Sequence, residues 1–343
     1  MATSTLDARK RSSPALPAPR GELSEALIGA LRGKPRPVAL PAPHSVRDPL
    51  TDEDLQLSLY LLYELHYRDY EGVDPDWEWN ESLLGSRARL EAIYLDALED
   101  LVPRTVGVDP ATIGESLFAL AEADDGPSLS RFLETQGSAE QLREFMVHKS
   151  AYQLKEADPH SWVIPRVSGD AKAALLEIQY DEYGSGKPHR IHARLFGEAM
   201  AALGLDDSYG AYLDEIPGFT LATNNLTSLL GLHRSRRGSL VGHLAMFEIG
   251  SAIPSRRYGN AIRRLGLATT PAAVDFFDEH VEADSVHENI AAYDLAQRFA
   301  DDQPDLADDV LFGARSLLAL DGLFAARVMA SWEAGESSLL SRR

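Results

Sequence analysis

The segment FFDEHVEADSVHENI, residues 276–290, carries His280, Asp284 and His287 at intervals of four and three. If it is helical, successive side chains turn by about 100°, so the three leave at roughly 0°, 40° and 340° and share one face. Two imidazoles and a carboxylate pointing the same way are potential metal ligands. A chain with 10 His and 53 acidic residues yields this spacing by chance roughly 0.05 times. The competing reading is a solvated acidic face, because Asp275, Asp278, Glu279, Glu282 and Glu288 lie alongside.

Carboxylates and imidazoles on other expected helices strengthen the metal reading. Glu248 stands in VGHLAMFEIGSAI among almost wholly apolar neighbours, where a buried carboxylate is expensive unless a cation compensates it. Glu182 closes AKAALLEIQYDEYG, and His192 follows one turn into the next helix, across GSGKP. Glu156 ends the helix HKSAYQLKEA. Together they make a carboxylate-rich box inside a bundle, as dinuclear iron sites are built. Oxygen and imidazole donors without sulfur suit Fe(II) or Mn(II) better than structural zinc. His243 is expected on another face of its helix from Glu248, and His148 and His160 have no second motif beside them. Arg234, Arg236, Arg237, Arg256 and Arg257 could grip a substrate carboxylate, but a solvated counterweight to the acidic surface is the plainer role. Tyr258 is expected either to line a substrate cavity or to pack.

The elements that must position these groups read as helices. Residues 1–48 are rich in Pro, Ala and Arg and read as an irregular arm with one short helix at GELSEALIGALRG. Residues 49–140 read as a helical extension, opened by a capping box at Thr51 and Asp54. Residues 141–340 read as one helix bundle, with LTSLLGLHRSRRGSLVGHLAMFEIGSAI and PAAVDFFDEHVEADSVHENIAAYDLAQRFA each taken as one helix. Period-two alternation is almost absent, so the fold class is all-α.

Composition excludes several alternatives. With no cysteine there can be no disulfide, thiolate metal site, iron-sulfur cluster or cysteine nucleophile. A net charge of -20 argues against nucleic acid or an anionic membrane as partner. The start of the chain lacks the apolar core of a secretory signal, and no apolar run is long enough to span a bilayer, so a cytoplasmic location is expected. Trp77 and Trp79 are expected to cover core surface or a subunit contact, which admits a homodimer.

Glu-x-x-His, the ferritin-like signature, does not occur in the chain. His-x3-Asp-x2-His on the last core helix, DEYGSGKPHRIHARLF upstream and the isolated Glu248 between them resemble instead the heme-oxygenase-like di-iron oxidases and oxygenases. The resemblance covers about residues 141 to 300. It implies a bundle of about seven core helices holding two irons that activate O2. The matching ligand positions are Glu156, His192, Glu248, His280, Asp284 and His287, with Glu182 as the additional carboxylate used by N-oxygenating members. Glu156 and Glu182 could exchange importance, and His189 is an alternative to His192.

Two ferrous ions sharing carboxylates can deliver two electrons to O2 together, giving a bridged peroxide, and an extra carboxylate at Glu182 would favour its attack by a nucleophile. The expected activity is therefore N-oxygenation of a small amine, amino acid or amino-heterocycle to a hydroxylamine or nitro compound in specialised metabolism. Oxidative C–C cleavage or desaturation of a fatty acid or amino acid is the second candidate. An all-α chain without a flavin or nicotinamide fingerprint implies a separate reductant. A purely structural helical protein, or heme bound by one axial histidine, would leave the clustered ligands without a task.

Overall fold

The computed structural model describes residues 13–43 and 46–341, leaving out the side chains of Asp284 and Ser285. Among the described residues there is no strand. The chain runs through α1 (Glu22–Leu31), α2 (Glu53–Glu64), α3 (Glu81–Leu101), α4 (Ile113–Ala123), α5 (Leu129–Thr135) and α6 (Ala139–Gln153). It continues with α7 (Gly169–Glu182), α8 (His192–Ala202), α9 (Gly218–Leu232), α10 (Arg237–Arg264) and α11 (Ala272–Asn289). A π-helical segment, Ile290–Gln297, then leads into α12 (Arg298–Asp302) and α13 (Ala307–Glu333).

Helix starts follow from the sequence. Asn80 opens α3 by accepting from the backbone N–H groups of Ser82 and Leu83, and Ser138 with Gln141 makes a reciprocal capping box for α6. The expected box at Thr51 and Asp54 is corrected: Asp52 caps α2 by accepting from Leu55 N. Asp54 instead accepts from Leu23 N and Ser24 N. It thereby caps the first turn of α1, where negative charge is favoured.

α10 is the central element. It packs most extensively against α11 and α13, and also meets α5 and the π-helical segment. The crossing with α13 is a backbone contact: a Cβ at Gly242 would lie 1.8 Å from Val310 O, and one at Gly313 1.8 Å from Ser239 O. Only glycine fits such an approach. Pro254 is accommodated inside α10. Tyr258, one turn on, stacks on Phe145 at 4.2 Å and packs on Phe277, so its role is packing.

Two segments expected as single helices are divided. The first breaks at His233, whose extended backbone separates α9 from α10. The second changes pitch at Ile290, where α-helical bonding gives way to i→i+5 bonding. Beyond that point Gln297 accepts from Gly114 N and donates to Pro110 O, and Tyr293 lies against Phe118. Docking onto α4 therefore sets the facing of the downstream half. Buried side chains from α1 through α13 form one contiguous cluster.

Candidate metal centre

Helix geometry does much of the assembly. His280 and His287 stand seven residues apart on α11, two turns along one face. Glu248 enters from the middle of α10, a helix whose first half is buried nearly all round. Glu182 is the last residue of α7 and His192 the first of α8, not one turn in as expected.

The connection between α7 and α8 is compact. Gly184, Ser185 and Gly186 all adopt left-handed backbone, and a Cβ at Gly184 would lie 2.7 Å from the backbone of Arg190 and Ile191. The loop therefore folds onto itself, and His192 Nδ1 comes within 3.0 Å of Glu182 Oε2.

Glu156 differs from the expectation, because α6 ends at Gln153 and Glu156 lies in the turn that follows. Ala157 beside it has φ +71°, a conformation that costs an L-residue about 1–2 kcal/mol. The turn is held by Gln179, one helical turn before Glu182, which donates to Ala157 O at 3.2 Å. Tyr183 also donates to Asp158 at 2.9 Å.

These side chains converge. One ligand atom each from Glu156, Glu182, His192 and His280 lie within 4.8 Å of one another, and so do atoms from Glu182, Glu248 and His287. All six residues are buried, and Glu182 belongs to both groups. Asp284 is on α11 between the two histidines, but its side chain lies outside the described residues. His189, the alternative to His192, is exposed and takes no part. His148, His160 and His243 are buried elsewhere. His148 lies between the hydroxyls of Thr220 and Ser338, while His160 lies between Tyr152 and His243.

The hydrogen bonds around the histidines aim their lone pairs. A backbone carbonyl can only accept, so His280 donates from Nδ1 to Phe276 O at 2.8 Å. This leaves Nε2 facing Glu156 Oε1 at 3.6 Å. His287 donates from Nε2 to Asp181 Oδ2 at 3.2 Å and turns Nδ1 toward Glu248 Oε2 at 3.4 Å. The carboxylate–histidine arrangement at Asp181 is how a ligating imidazole is oriented and made more basic. The sequence reading missed Asp181: it adjoins Glu182, but nothing in one sequence marks it as the partner of a histidine more than a hundred residues away.

Electrostatics favour a cation. Burial pushes the carboxyls of Glu156 and Glu248 up, and in each case outweighs the nearby histidine that draws it down. Burial also pushes the His287 imidazole down, but Glu248, then Asp181 and Glu182, outweigh it and lift its pKa to about 9. Both oxygens of Glu156 are buried, and His280 Nε2 stands 3.6 Å from Oε1. Carboxylates packed in this way demand a compensating charge. A donor set of oxygen and imidazole nitrogen fits iron.

A helical bundle enclosing such a donor set is the architecture of metal-dependent redox proteins. Residues 143–322, more than half of the chain, match the family of iron-containing redox enzymes, and all six clustered residues fall inside that span. The chain belongs to this family, has its heme-oxygenase-like helical fold, and is accordingly an oxidoreductase. No curated protein matches it. No helix of the described residues is long and apolar enough to cross a membrane.

Proposed function

We propose that the six clustered residues hold two irons, one between Glu156, His192 and His280 and one between Glu248 and His287, with Glu182 shared. The enzyme uses O2 to oxygenate the nitrogen of a small amine, amino acid or amino-heterocycle to a hydroxylamine or nitro product. Bound iron would supply the paired electrons that O2 activation requires. The observation that carries the two-iron reading is that a single buried carboxylate belongs to both ligand groups.

The protein's own residues have definable tasks. Phe276 O and Asp181 fix which nitrogen of His280 and His287 faces the carboxylates. Burial excludes competing water and strengthens each charge interaction. A cavity of about 240 Å³ opens beside His287 and Asp181, and among the described residues it is lined by Glu177, Glu279 and Glu282, with Arg190 also on its wall. Arg190 is already paired with Glu279. Such a mouth suits a protonated amine and repels a fatty-acid carboxylate, which favours amine oxygenation over fatty-acid cleavage or desaturation. A separate reductant supplies the electrons.

The test is anaerobic loading with Fe(II), addition of a reductant and a panel of amines, and exposure to ¹⁸O2. Mass spectrometry should find labelled hydroxylamine or nitro products, with O2 uptake stimulated by the productive amine. Shortened or desaturated acids, with no labelled nitrogen product, would refute N-oxygenation.

A further inference from the structure

Of the six clustered residues, Glu156 alone stands outside a helix, so its direction rests on what holds the turn. Its neighbour Lys155 is almost fully buried and is paired with a different residue, Glu64. Lys155 Nζ donates to Glu64 Oε2 at 2.7 Å and sits over the rings of Tyr60 and Tyr67, at 4.8 and 4.4 Å. The other oxygen of Glu64 accepts from the Tyr209 hydroxyl and from Arg68 N. Glu64 is the last residue of α2, so the brace reaches Glu156 from the N-terminal helices.

A buried ion pair is seldom better for stability than a well-packed apolar pair of the same volume, because desolvation offsets most of the attraction. It does have a direction, which an apolar contact lacks. Lys155 is held at Glu64, while Glu156 Oε1 lies 3.6 Å from His280 Nε2.

We propose that Glu64 and Lys155 are positioning residues that lock the Glu156 turn in register. The N-terminal helices would thereby set the metal affinity of the Glu156/His192/His280 position and leave the Glu248/His287 position alone. The inference rests on the reading that the six clustered residues bind two ions. Tyr209 and the two aromatic rings belong to the same brace, since they fix the atoms that Lys155 addresses.

The experiment is an anaerobic Co(II) titration of the full chain, read by visible absorption and by metal analysis after desalting. It compares wild type with Lys155→Met, Glu64→Gln and the double variant Glu64→Leu/Lys155→Met. Lys155→Met should weaken one of two sites by about 10-fold to 100-fold, the range for residues that orient a ligand, with the second site unchanged. Glu64→Gln, which keeps a hydrogen-bonding oxygen and removes the charge, should show a smaller loss at the same site. The double variant should regain the melting temperature without regaining the weakened site, which separates positioning from stability. A double variant that binds two ions as wild type does, or equal weakening of both sites in the single variants, would overturn the proposal. A wild type that binds no ion would overturn the site reading itself, and this inference with it.

Discussion

Replacing Glu182 by Ala should affect both metal positions, whereas replacing Glu156 or Glu248 should affect one. The size of the effect follows from the donor sets. A structural four-ligand site is worth about 10–16 kcal/mol at neutral pH, so one ligand contributes on the order of 3 kcal/mol, roughly a hundredfold in affinity. The group containing Glu156 has four donors among the described residues and the group containing Glu248 has three, with Glu182 counted in each. Glu156→Ala leaves the second group whole, and Glu248→Ala leaves the first. Glu182→Ala leaves three donors in one and two in the other. Anaerobic Fe(II) titration against a competing chelator should give two ions for wild type, and for each flanking variant one ion at wild-type affinity and one roughly a hundredfold weaker. Glu182→Ala should weaken both positions, each by roughly a hundredfold, with far-UV circular dichroism confirming the helical fold. A Glu182→Ala protein that keeps one ion at wild-type affinity would refute the shared-carboxylate reasoning.

Asp181→Ala should weaken metal binding by about 10-fold to 100-fold through loss of the hydrogen bond that orients His287, and Asp181→Asn by less, because an acceptor oxygen remains; the same titration measures both. Gly242→Ala should destabilise by more than about 4 kcal/mol or abolish folding, since the added methyl meets the Val310 backbone, as urea denaturation would record. His148 is held neutral by burial, which lowers its pKa to about 3. Its contribution is fully present above the unfolded value of about 6.5 and is lost as pH falls toward about 3, at roughly 1.4 kcal/mol per pH unit. His148→Gln should remove that part of the acid slope, measured by urea unfolding of the metal-free protein between pH 7 and pH 4.

Much of the site is legible because its carboxylates and imidazoles contradict their surroundings. Glu248 interrupts an apolar run that has no other reason to hold a charge, and the spacing of His280 and His287 survives folding because an α-helix preserves it. Glu64 interrupts LYLLYEL in the same way and was open to the same argument. Its partner Lys155 is not visible locally, because 91 residues separate them. Asp181, the strained turn at Ala157 and the backbone contact at Gly242 are likewise products of chain segments meeting in space. The division at His233 was hidden by continuous helical periodicity. The change of pitch at Ile290 was hidden because α and π turns place much the same residue types.

The π-helical segment gives α11 two masters. α11 must keep His280 and His287 turned toward the carboxylates, while the π-helical segment that continues it must seat Tyr293 and Gln297 on α4. The wider turns of that segment absorb the phase difference that one uniform pitch could not. Deleting a single residue from Ile290–Gln297 would swing one half by about 100° relative to the other, so either the ligands or the seam with α4 would be forfeited.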